Sequence, residues 1–534
     1  MESERISLAR LIGAFTPVPI FRQSAKYVLA GIFLSTLSAC TTIDFDHPRT
    51  TSTQFTNTQD GYIAQQLVDE VQGRTADESG FLPLIDGIDA LAARLLFAEK
   101  AQFSIDVQYY LIKDDLVGNA FMAVLLRAAD RGVRVRLLID DVFTQGYDNG
   151  MSALNAHPHI EIRVFNPFNR GIMGRAGAGL TRFSRINRRL HNKSFTVDNQ
   201  ISLIGGRNIA DEYFGAAAGN NFSDLDVVGI GPVVQEVSDM FDLYWNHQTA
   251  LPIPAFIDPP DDIDAELRRL RSSWADHLAG LQGTRYANVV NRQVSHFLTT
   301  DADFVWAPYT LVYDSPDKGL NENADERRSI ATALSDSLHA AKFEVIILSP
   351  YFVPLRSGIA GFSRLRARGI EVAIVTNSLR ANNHAIVHGG YMPARRPLLR
   401  AGVRLYEARA DAQISGAGYN ANADVSATLH TKAFIVDRKE LFIGSFNFDP
   451  RSVNLNTELG VLIRDPALAE QLAKQVVAAL PSRTYELKVD DRSRISWHTL
   501  EGDEEVVYAK EPHTTWTQRL VARIARVLPI HSQL

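Results

Sequence analysis

The stretch His191-Asn192-Lys193-Ser194-Phe195-Thr196-Val197-Asp198 is followed by Gly205-Gly206-Arg207-Asn208, and the same pattern returns later in the chain. The second copy is His430-Thr431-Lys432-Ala433-Phe434-Ile435-Val436-Asp437, followed by Gly444-Ser445-Phe446-Asn447. In both copies a glycine stands seven residues after the aspartate, and an asparagine follows three residues later. One His-x-Lys-x4-Asp pattern is a modest signal, whereas two copies with matching continuations indicate an internal duplication.

The local spacing predicts how each copy presents its side chains. Histidine and lysine stand two residues apart, so in an extended strand they project from the same face. The residues that follow are aromatic or β-branched, which favours a strand. Asp198 and Asp437 fall at the end of that strand with the opposite parity. Gly205 and Gly444 predict a place where another part of the backbone approaches closely.

The duplication extends well beyond the motifs. Residues 84–139 read as helix, strand, helix and strand, and residues 330–376 repeat that order at a nearly constant offset. This order predicts an α/β fold, in which two similar lobes with mixed, mainly parallel sheets and flanking helices pack about a pseudo-two-fold axis. The two motifs would then meet in one shared cleft.

Two His/Lys pairs that face each other suit a phosphodiester. The lysines Lys193 and Lys432, together with Asn208 and Asn447, would hold the non-bridging oxygens and stabilise a five-coordinate phosphorus. One imidazole would attack phosphorus, and the other would protonate the departing alcohol and later deprotonate the acceptor. Because the lysines supply the positive charge, we expect no metal and no cofactor. The alternative is that both histidines are ordinary residues at the edge of a sheet.

These residues resemble the phospholipase D superfamily, which is defined by two His-x-Lys-x4-Asp motifs. The resemblance covers most of residues 80–480 and implies metal-free transfer of a phosphatidyl or nucleotidyl group through a covalent phosphohistidine. It implies catalytic roles for His191, Lys193, Asp198, His430, Lys432 and Asp437. By analogy with the family, His191 would be the nucleophile and His430 the general acid and base. Asp224 and Glu458 occupy equivalent places after the motifs, and the family implies that such carboxylates orient the imidazoles; a purely structural role stays open.

Length and composition are those of a folded protein with two lobes. The chain has 534 residues, 46% of them hydrophobic and 22% charged. A net charge of −6 argues against a general nucleic-acid coat. We predict a first lobe over residues 81–250, a connector over 251–325, a second lobe over 326–485 and a C-terminal extension over 486–534.

The N-terminus predicts a membrane anchor. Basic residues precede the apolar run Tyr27–Leu37, which ends in Leu37-Ser38-Ala39-Cys40, and Cys40 is the only cysteine of the chain. This pattern resembles a bacterial lipobox, in which the cysteine is lipidated; an uncleaved signal anchor is the alternative. Residues 1–40 would be this signal, and residues 41–80, rich in Thr, Asn and Gln up to about residue 59, would be a tether. We therefore expect a lipoprotein of the bacterial cell envelope, with the outer membrane slightly favoured.

Two basic segments suggest contact with anionic headgroups. Residues 162–197 contain no Asp or Glu, and their basic residues are interleaved with apolar ones. These basic residues are Arg163, Arg170, Arg175, Arg182, Arg185, Arg188, Arg189 and Lys193. A solvated basic loop is the alternative. Residues 516–528 read as a short basic amphipathic helix, which would lie on a membrane or pack on a lobe.

A pair of histidines outside the two motifs bears on metal binding. His384 and His388 are spaced like the two zinc ligands of a peptidase helix, but Ala385 replaces the glutamate that follows the first histidine in that mechanism. We therefore do not predict a zinc site there.

The preferred function is a phosphatidyltransferase or phospholipase D that acts on membrane phospholipids. Cardiolipin synthesis from phosphatidylglycerol and a second phospholipid is the expected instance, with no nucleic-acid partner and a monomeric catalytic unit. Two alternatives stay open: a metal-independent nuclease that uses the same site, and a non-enzymatic lipid-binding protein of the envelope.

Overall fold

The fold is organised around one long mixed sheet, to which both halves of the chain contribute equivalent strands. The computed structural model describes residues 43–144, 146–168, 187–299, 303–320, 329–411 and 426–526. Cys40 and the proposed signal lie outside the described residues. Among the residues that are described, no helix is both long enough and apolar enough to span a bilayer.

The first half alternates strands and helices. Its strands are β1 Glu78–Leu84, β2 Ser104–Tyr109, β3 Arg134–Asp140, β4 Ile160–Phe165, β5 Ser194–Val197, β6 Ile201–Gly205, β7 Asn220–Ser223, β8 Asp226–Ile230 and β9 Ala250–Pro252. Its helices are α1 Tyr62–Val71, α2 Gly87–Lys100, α3 Leu116–Asp130, α4 Asp148–Asn155 and α5 Pro232–Trp245. Two further helices, α6 Ile263–Leu281 and α7 Arg285–Thr299, follow before the second half begins.

The second half repeats this order. Its strands are β10 Val305–Tyr313, β11 Glu344–Leu348, β12 Glu371–Asn377, β13 Arg404–Ala408, β14 Ser426–Leu429, β15 Ala433–Val436, β16 Glu440–Gly444, β17 Leu459–Ile463 and β18 Thr484–Val489. Its helices are α8 Ile330–Ala340, α9 Leu355–Ala367, α10 Ala385–Arg400, α11 Pro450–Asn454 and α12 Pro466–Arg483. The hairpin β19 Ile495–Glu501 with β20 Glu504–Tyr508 and the helix α13 Trp516–Ala525 complete the described chain.

The strand order shows the duplication directly. It runs β9-β4-β3-β2-β5-β6-β8-β1 through the first half and continues as β10-β17-β16-β15-β11-β12-β13-β18-β19-β20. The predicted duplicated α/β fold with mixed sheets is confirmed. The prediction that these sheets are mainly parallel is wrong, because parallel pairing is confined to β2, β3 and β4 in one half and to β11, β12 and β13 in the other, and the remaining pairs of this sheet are antiparallel.

The sheet fixes where the motifs lie. Gln108 near the end of β2 pairs with Ser194, and Leu348 at the end of β11 pairs with Ala433. Both motifs therefore enter β5 and β15 at the carboxyl ends of the parallel strands, which is where α/β sheets usually bind ligands.

Contacts between the halves occur in equivalent pairs. The first half's β7 pairs in parallel with the second half's β14, with Ser223 opposite Leu429. The equivalent residues of the other half, Leu190 and Thr457, also form a parallel bridge. Such an exchange of equivalent partners is the signature of a two-fold relation between repeats. It brings the segment before each motif against the other half.

The predicted tether does not match the described structure from residue 43 onward. Arg49 donates to the carbonyl oxygens of His247 and Ala250, and Trp245 donates to Ser52. The following residues form α1 and β1, and β1 pairs with β8. Residues 43–80 are thus packed on the first lobe, because their polar side chains and carbonyls hydrogen-bond to it.

The predicted connector and C-terminal extension are also parts of the two lobes rather than separate segments. Leu267, Leu270 and Trp274 of α6 are buried in the first lobe's core, and β10 already belongs to the second lobe through its pairing with β17. Strand β18 pairs with β13, and β19 and β20 extend the same sheet. The second lobe therefore begins about twenty residues earlier than the predicted boundary.

Candidate active site

The histidines and lysines of the motifs stand just before strands β5 and β15. The backbone N–H of His191 donates to Thr457 at 3.0 Å, and that of His430 donates to Ser223 at 2.8 Å. Each motif is therefore held in an extended conformation both by its own sheet and by a backbone hydrogen bond to the opposite half.

Asp198 and Asp437 lie at the far ends of those strands. The Asp198 carboxylate accepts hydrogen bonds from the backbone N–H groups of Gln102, Phe103 and Ser104. Asp437 accepts the equivalent bonds from residues 342–344. Both aspartates have positive φ, 51° and 53°, a conformation that aspartate tolerates better than most residues. This placement corrects their grouping with the catalytic residues, because they fix the turn that precedes β2 or β11.

Each imidazole is bound by a carboxylate from the other half. Nδ1 of His191 lies 2.8 Å from Oε2 of Glu458, and Nδ1 of His430 lies 2.5 Å from Oδ2 of Asp224. Both carboxylates are fully buried. A carboxylate at Nδ1 fixes the tautomer in which Nε2 carries the lone pair, as a nucleophile or proton acceptor requires.

The lysines fold back onto their own motifs. Nζ of Lys193 donates to the carbonyl oxygen of His191 at 2.6 Å. Nζ of Lys432 donates to the carbonyl oxygen of His430 at 2.5 Å and lies 3.8 Å from Oδ2 of Asp224. An ammonium group has three donors, so the bond to His191 leaves Lys193 able to contact a phosphate oxygen, whereas Nζ of Lys432 also lies 2.5 Å and 3.2 Å from the ring nitrogens of His430 and would turn toward a bound phosphate.

The electrostatics show that all these groups share one cluster. Burial, followed by the charges of Lys193 and Lys432, holds the pKa of His191 well below its usual value. Burial and Lys432 lower the pKa of His430 to about 3, and the charge of Lys193 contributes in the same direction. The charges of both lysines thus lower the pKa of each histidine, so the His/Lys pairs of the two motifs lie in the same site. Both imidazoles are neutral at neutral pH before substrate binds.

The two carboxylates differ in charge state. Burial raises the pKa of Glu458 to about 7, although Lys193 opposes this shift. Burial also acts to raise the pKa of Asp224, but Lys432 and His430 outweigh it, so that pKa falls below its ordinary value. Asp224 is therefore ionised at neutral pH and suits a positively charged His430.

Burial also weakens the lysines as bases. It lowers the pKa of Lys193 to about 7 and that of Lys432 to about 8, although Glu458 and Asp224 favour the charged forms. The carboxylates in the site therefore offset the cost of burying the two ammonium groups only in part. A bound phosphodiester would add negative charge and restore the full charge of both lysines.

The loops after β6 and β16 support the carboxylates. A Cβ at Gly206 would lie 2.2 Å from Oδ1 of Asp224, and one at Gly205 would lie 2.0 Å from Oδ1 of Asp226. A Cβ at Gly444 would lie 2.4 Å from the carbonyl oxygen of Leu459. Both predicted close approaches therefore occur. Ser445 replaces the second glycine in the other half, and its hydroxyl donates to Glu458.

Asn208 and Asn447 are buried beside this cluster. Nδ2 of Asn208 donates to the hydroxyl of Tyr213 at 2.8 Å, and Tyr213 packs edge-on against His430. The Oδ1 atoms of both asparagines have no hydrogen-bond partner among the described residues. An unmatched buried amide is costly, which is consistent with a polar group of the substrate completing the site.

Aromatic side chains that the sequence did not single out line the site. The ring of Tyr110 lies 5.2 Å from that of His191, and Phe222 stacks on His430 at 5.1 Å. A cavity of about 460 Å³ adjoins Tyr110 and extends beneath α6 toward Leu270 and Trp274. Tyr110 directly follows β2, so its position at the carboxyl end of a parallel strand was the available signal.

The described arginines of the predicted basic lip are internal. Arg163 donates to Trp245 and Glu161, Arg188 donates to Lys318, and Arg189 pairs with Asp140. All three are buried, because carbonyls and carboxylates of the first lobe and its neighbours surround them. This corrects the lip prediction for these residues; Arg170, Arg175, Arg182 and Arg185 lie outside the described residues.

The histidines on α10 do not form the suggested pair of ligands. His384 precedes the helix and packs near Tyr351, whereas His388 is buried beside Glu407 and Glu511. Those three side chains have the composition of a metal site, but the Arg395 guanidinium lies among them. It is 2.7 Å from both His388 and Glu407, and 2.6 Å from Glu511. Arg395 thus already provides the cation that these carboxylates need.

Comparison with known proteins places this site in a family context. Residues 97–245 and 334–478 each match the family model described as "Cardiolipin synthase, PLD-like domain". The chain is 41% identical over 460 residues to cardiolipin synthase C of Escherichia coli, covering 85% of this chain and 96% of that protein. It is 26% identical to cardiolipin synthase A of Pseudomonas putida over 398 residues, covering 73% of this chain and 66% of that protein.

The fold is also similar to a solved structure. The phosphatidylserine synthase of Haemophilus influenzae superposes with a TM-score of 0.53 at 14% sequence identity. The match covers 80% of this chain and 92% of that one. At this identity the likeness concerns the arrangement of strands and helices rather than the chemistry.

Proposed function

Since the chain belongs to the phospholipase D superfamily, in its cardiolipin synthase-like branch, we propose that it makes cardiolipin by transferring a phosphatidyl group to phosphatidylglycerol. The observation that carries the proposal is the convergence of both His/Lys pairs, each with a carboxylate from the opposite half, on one buried site. Two imidazoles and two ammonium groups are what transfer through a phosphohistidine requires.

The first step forms the covalent intermediate. The phosphodiester of the donor lipid binds between Lys193 and Lys432, and Nε2 of His191 attacks phosphorus. The bond from phosphorus to the headgroup oxygen breaks, and His430 gives that oxygen a proton as it leaves. The phosphatidyl group is then attached to His191, and the headgroup alcohol departs.

The second step reverses these roles. A hydroxyl of phosphatidylglycerol enters in place of the departed alcohol, and His430 accepts its proton. The oxygen attacks phosphorus, the bond to Nε2 of His191 breaks, and cardiolipin forms. When the donor is also phosphatidylglycerol, the other product is glycerol.

The charge states support this assignment of the two histidines. His430 must carry a positive charge when it acts as the acid, and its partner Asp224 is ionised. Binding of an anionic phosphodiester would offset the lysine charges that lower the pKa of His430. His191 must be neutral to attack, and burial keeps it so.

The proposal is tested by product analysis with the purified chain. Vesicles of phosphatidylglycerol, with and without phosphatidylethanolamine, are incubated with excess EDTA, and the lipids are identified by mass spectrometry. We expect cardiolipin with release of glycerol or ethanolamine. Phosphatidic acid as the sole product would indicate hydrolysis, and cleavage of single-stranded DNA in a parallel reaction would indicate a nuclease; either result would contradict the proposal.

We also propose that the chain is anchored in the bacterial envelope through a lipid on Cys40. The support is the sequence Leu37-Ser38-Ala39-Cys40 after a basic and apolar segment. Cells that express the full chain should incorporate labelled palmitate into it, and Cys40→Ser should abolish the label while leaving the catalytic lobes intact. Equal labelling of both chains would contradict the proposal.

A further inference from the structure

Helix α13 has two different apolar faces. Ala522 and Ala525 on its inner face are buried against α10. The contact is close, because a Cβ at Gly389 of α10 would lie 2.7 Å from both the Ala522 carbonyl oxygen and the Ala525 side chain. A capping box between Thr515 and Gln518 fixes the start of the helix. The inner face therefore accounts for how the helix is held on the second lobe.

The outer face is apolar and exposed. Trp516 is 69% exposed, Leu520 45%, Val521 46% and Ile524 51%. Trp516, Leu520 and Ile524 follow one another at intervals of four, so they form a single stripe along the helix. Isolated apolar residues on a surface need no explanation, but a contiguous group marks a contact surface.

The charges beside this stripe are positive. Arg523 and Arg526 are exposed, and no acidic residue occurs from Trp516 to Arg526. The whole chain carries a net charge of −6, so the helix is a local reversal of the overall charge. Basic residues next to an apolar stripe that contains tryptophan are typical of helices that lie in the interface of an anionic bilayer.

Helix α10, on which α13 packs, begins close to Tyr351. The hydroxyl of Tyr351 donates to Asn383, which lies two residues before the first residue of α10. Ile386 on the first turn of α10 is 46% exposed and lies about one turn from Gly389, on which α13 packs. Ile386 is therefore a further exposed apolar side chain on the helix that holds α13.

We propose that the outer face of α13 docks on an anionic phospholipid bilayer and so holds the enzyme at the membrane surface. Trp516, Leu520 and Ile524 enter the boundary between headgroups and acyl chains, and Arg523 and Arg526 contact lipid phosphates. This inference adds a membrane-binding surface and does not depend on which lipid is donor or acceptor.

Trp516 offers a direct measurement in the full chain. Trp245, Trp274 and Trp497 are buried, and Trp306 is partly covered by Arg74, so Trp516 is the most exposed of the five tryptophans. The chain is added to vesicles of phosphatidylglycerol and phosphatidylethanolamine that carry brominated acyl chains. We expect quenching of fluorescence by the brominated lipid and protection from acrylamide, and both effects should be lost in Trp516→Phe.

A pair of matched variants measures the consequence for activity. Leu520→Ser combined with Ile524→Ser should lower kcat/KM for phosphatidylglycerol in vesicles by about tenfold or more, since two apolar side chains no longer enter the membrane. With short-chain phosphatidylglycerol below its micellar concentration, kcat/KM should stay unchanged. The control combines Leu243→Ser with Val507→Ser, which are similarly exposed elsewhere and should leave both values unchanged.

Several outcomes would overturn the inference. One is that Trp516 remains accessible to acrylamide when vesicles are present. Another is that the control variant, Leu243→Ser with Val507→Ser, loses as much activity on vesicles as the α13 variant. A change in sedimentation mass of the α13 variants, without a change in vesicle binding, would show that the surface contacts protein instead. Failure of the short-chain substrate in the wild-type chain would count against the proposed function and not against this surface.

Discussion

Replacing His191 with alanine should lower kcat/KM for phosphatidyl transfer by about 10⁴-fold or more and abolish the covalent intermediate, because the atom that attacks phosphorus is lost. His430→Ala should lower kcat/KM by about 10²–10⁴-fold, since general acid catalysis typically contributes that much. In this second variant the intermediate should still form from a donor whose headgroup is a good leaving group. The lone pair of His191 and its partner Glu458 remain in place.

The measurement uses a donor labelled with ³²P, rapid quenching at alkaline pH, where phosphohistidine survives, and a denaturing gel run and dried without acid. His159→Ala, an exposed histidine in a turn of the first lobe, is the control and should match the wild-type chain. Label on the His191→Ala chain and none on the His430→Ala chain would exchange the two roles. Undiminished turnover in either variant would contradict the mechanism as a whole.

The second prediction concerns Glu458 and Asp224, the carboxylates that each bind the histidine of the opposite half. Glu458→Gln and Asp224→Asn should each lower kcat by about 10²–10⁴-fold, because loss of a carboxylate at Nδ1 removes the tautomer that the mechanism needs. The affected step should differ between them. Glu458→Gln should slow mainly the formation of the intermediate through His191, whereas Asp224→Asn should slow both its formation and its breakdown, because His430 acts in both steps.

The dependence of kcat/KM on pH shows whether Glu458 positions the His191 imidazole or only supports the fold. Glu458 must be ionised to accept the hydrogen bond from Nδ1–H of His191, and its pKa is about 7, so kcat/KM should fall as pH decreases through neutrality. Lys193, with a pKa of about 7, and Lys432, with a pKa of about 8, lose their charge as pH rises, so kcat/KM should also fall on the alkaline side. The profile should therefore be a narrow bell that reports the free enzyme. Glu458→Gln should lose the acidic limb and keep the alkaline one.

Asp198→Asn is the control for these carboxylates. Asp198 belongs to the motif, but it caps three backbone N–H groups at the far end of β5. This variant should lower the melting temperature and leave both limbs of the pH profile in place for the folded fraction. A lost acidic limb in Asp198→Asn, or an unchanged one in Glu458→Gln, would contradict the assigned roles.

Much of the fold followed from local patterns. The strand around Phe195 and its repeat around Phe434 were predicted from their residues, because β-branched and aromatic side chains repeat with the same spacing. The segment at residues 43–61 could not be predicted as packed. Its polar composition is typical of a linker, and its order comes from single hydrogen bonds to distant residues such as Trp245.

The site was only partly predictable for a similar reason. The aspartates of the motifs are as regular in sequence as the histidines, and sequence regularity alone does not distinguish a catalytic carboxylate from a cap. The prediction that the arginines before the first motif are exposed was also wrong for those that the structure describes. A run without acidic residues resembles a basic surface, because the groups that neutralise it are distant in sequence. Asp140, which pairs with Arg189, lies far upstream.

The sequence by itself determined the duplication, the two imidazole–ammonium pairs and the strands that present them, because strand parity places residues i and i+2 on one face. Only the tertiary structure decided the partners. Asp224 is nearer in sequence to His191, yet it binds His430, and Glu458 binds His191. The physical reason is that the halves exchange equivalent contacts where their sheets meet, so each carboxylate completes the imidazole of the opposite half. No local pattern carries that information, because it depends on how two distant surfaces dock.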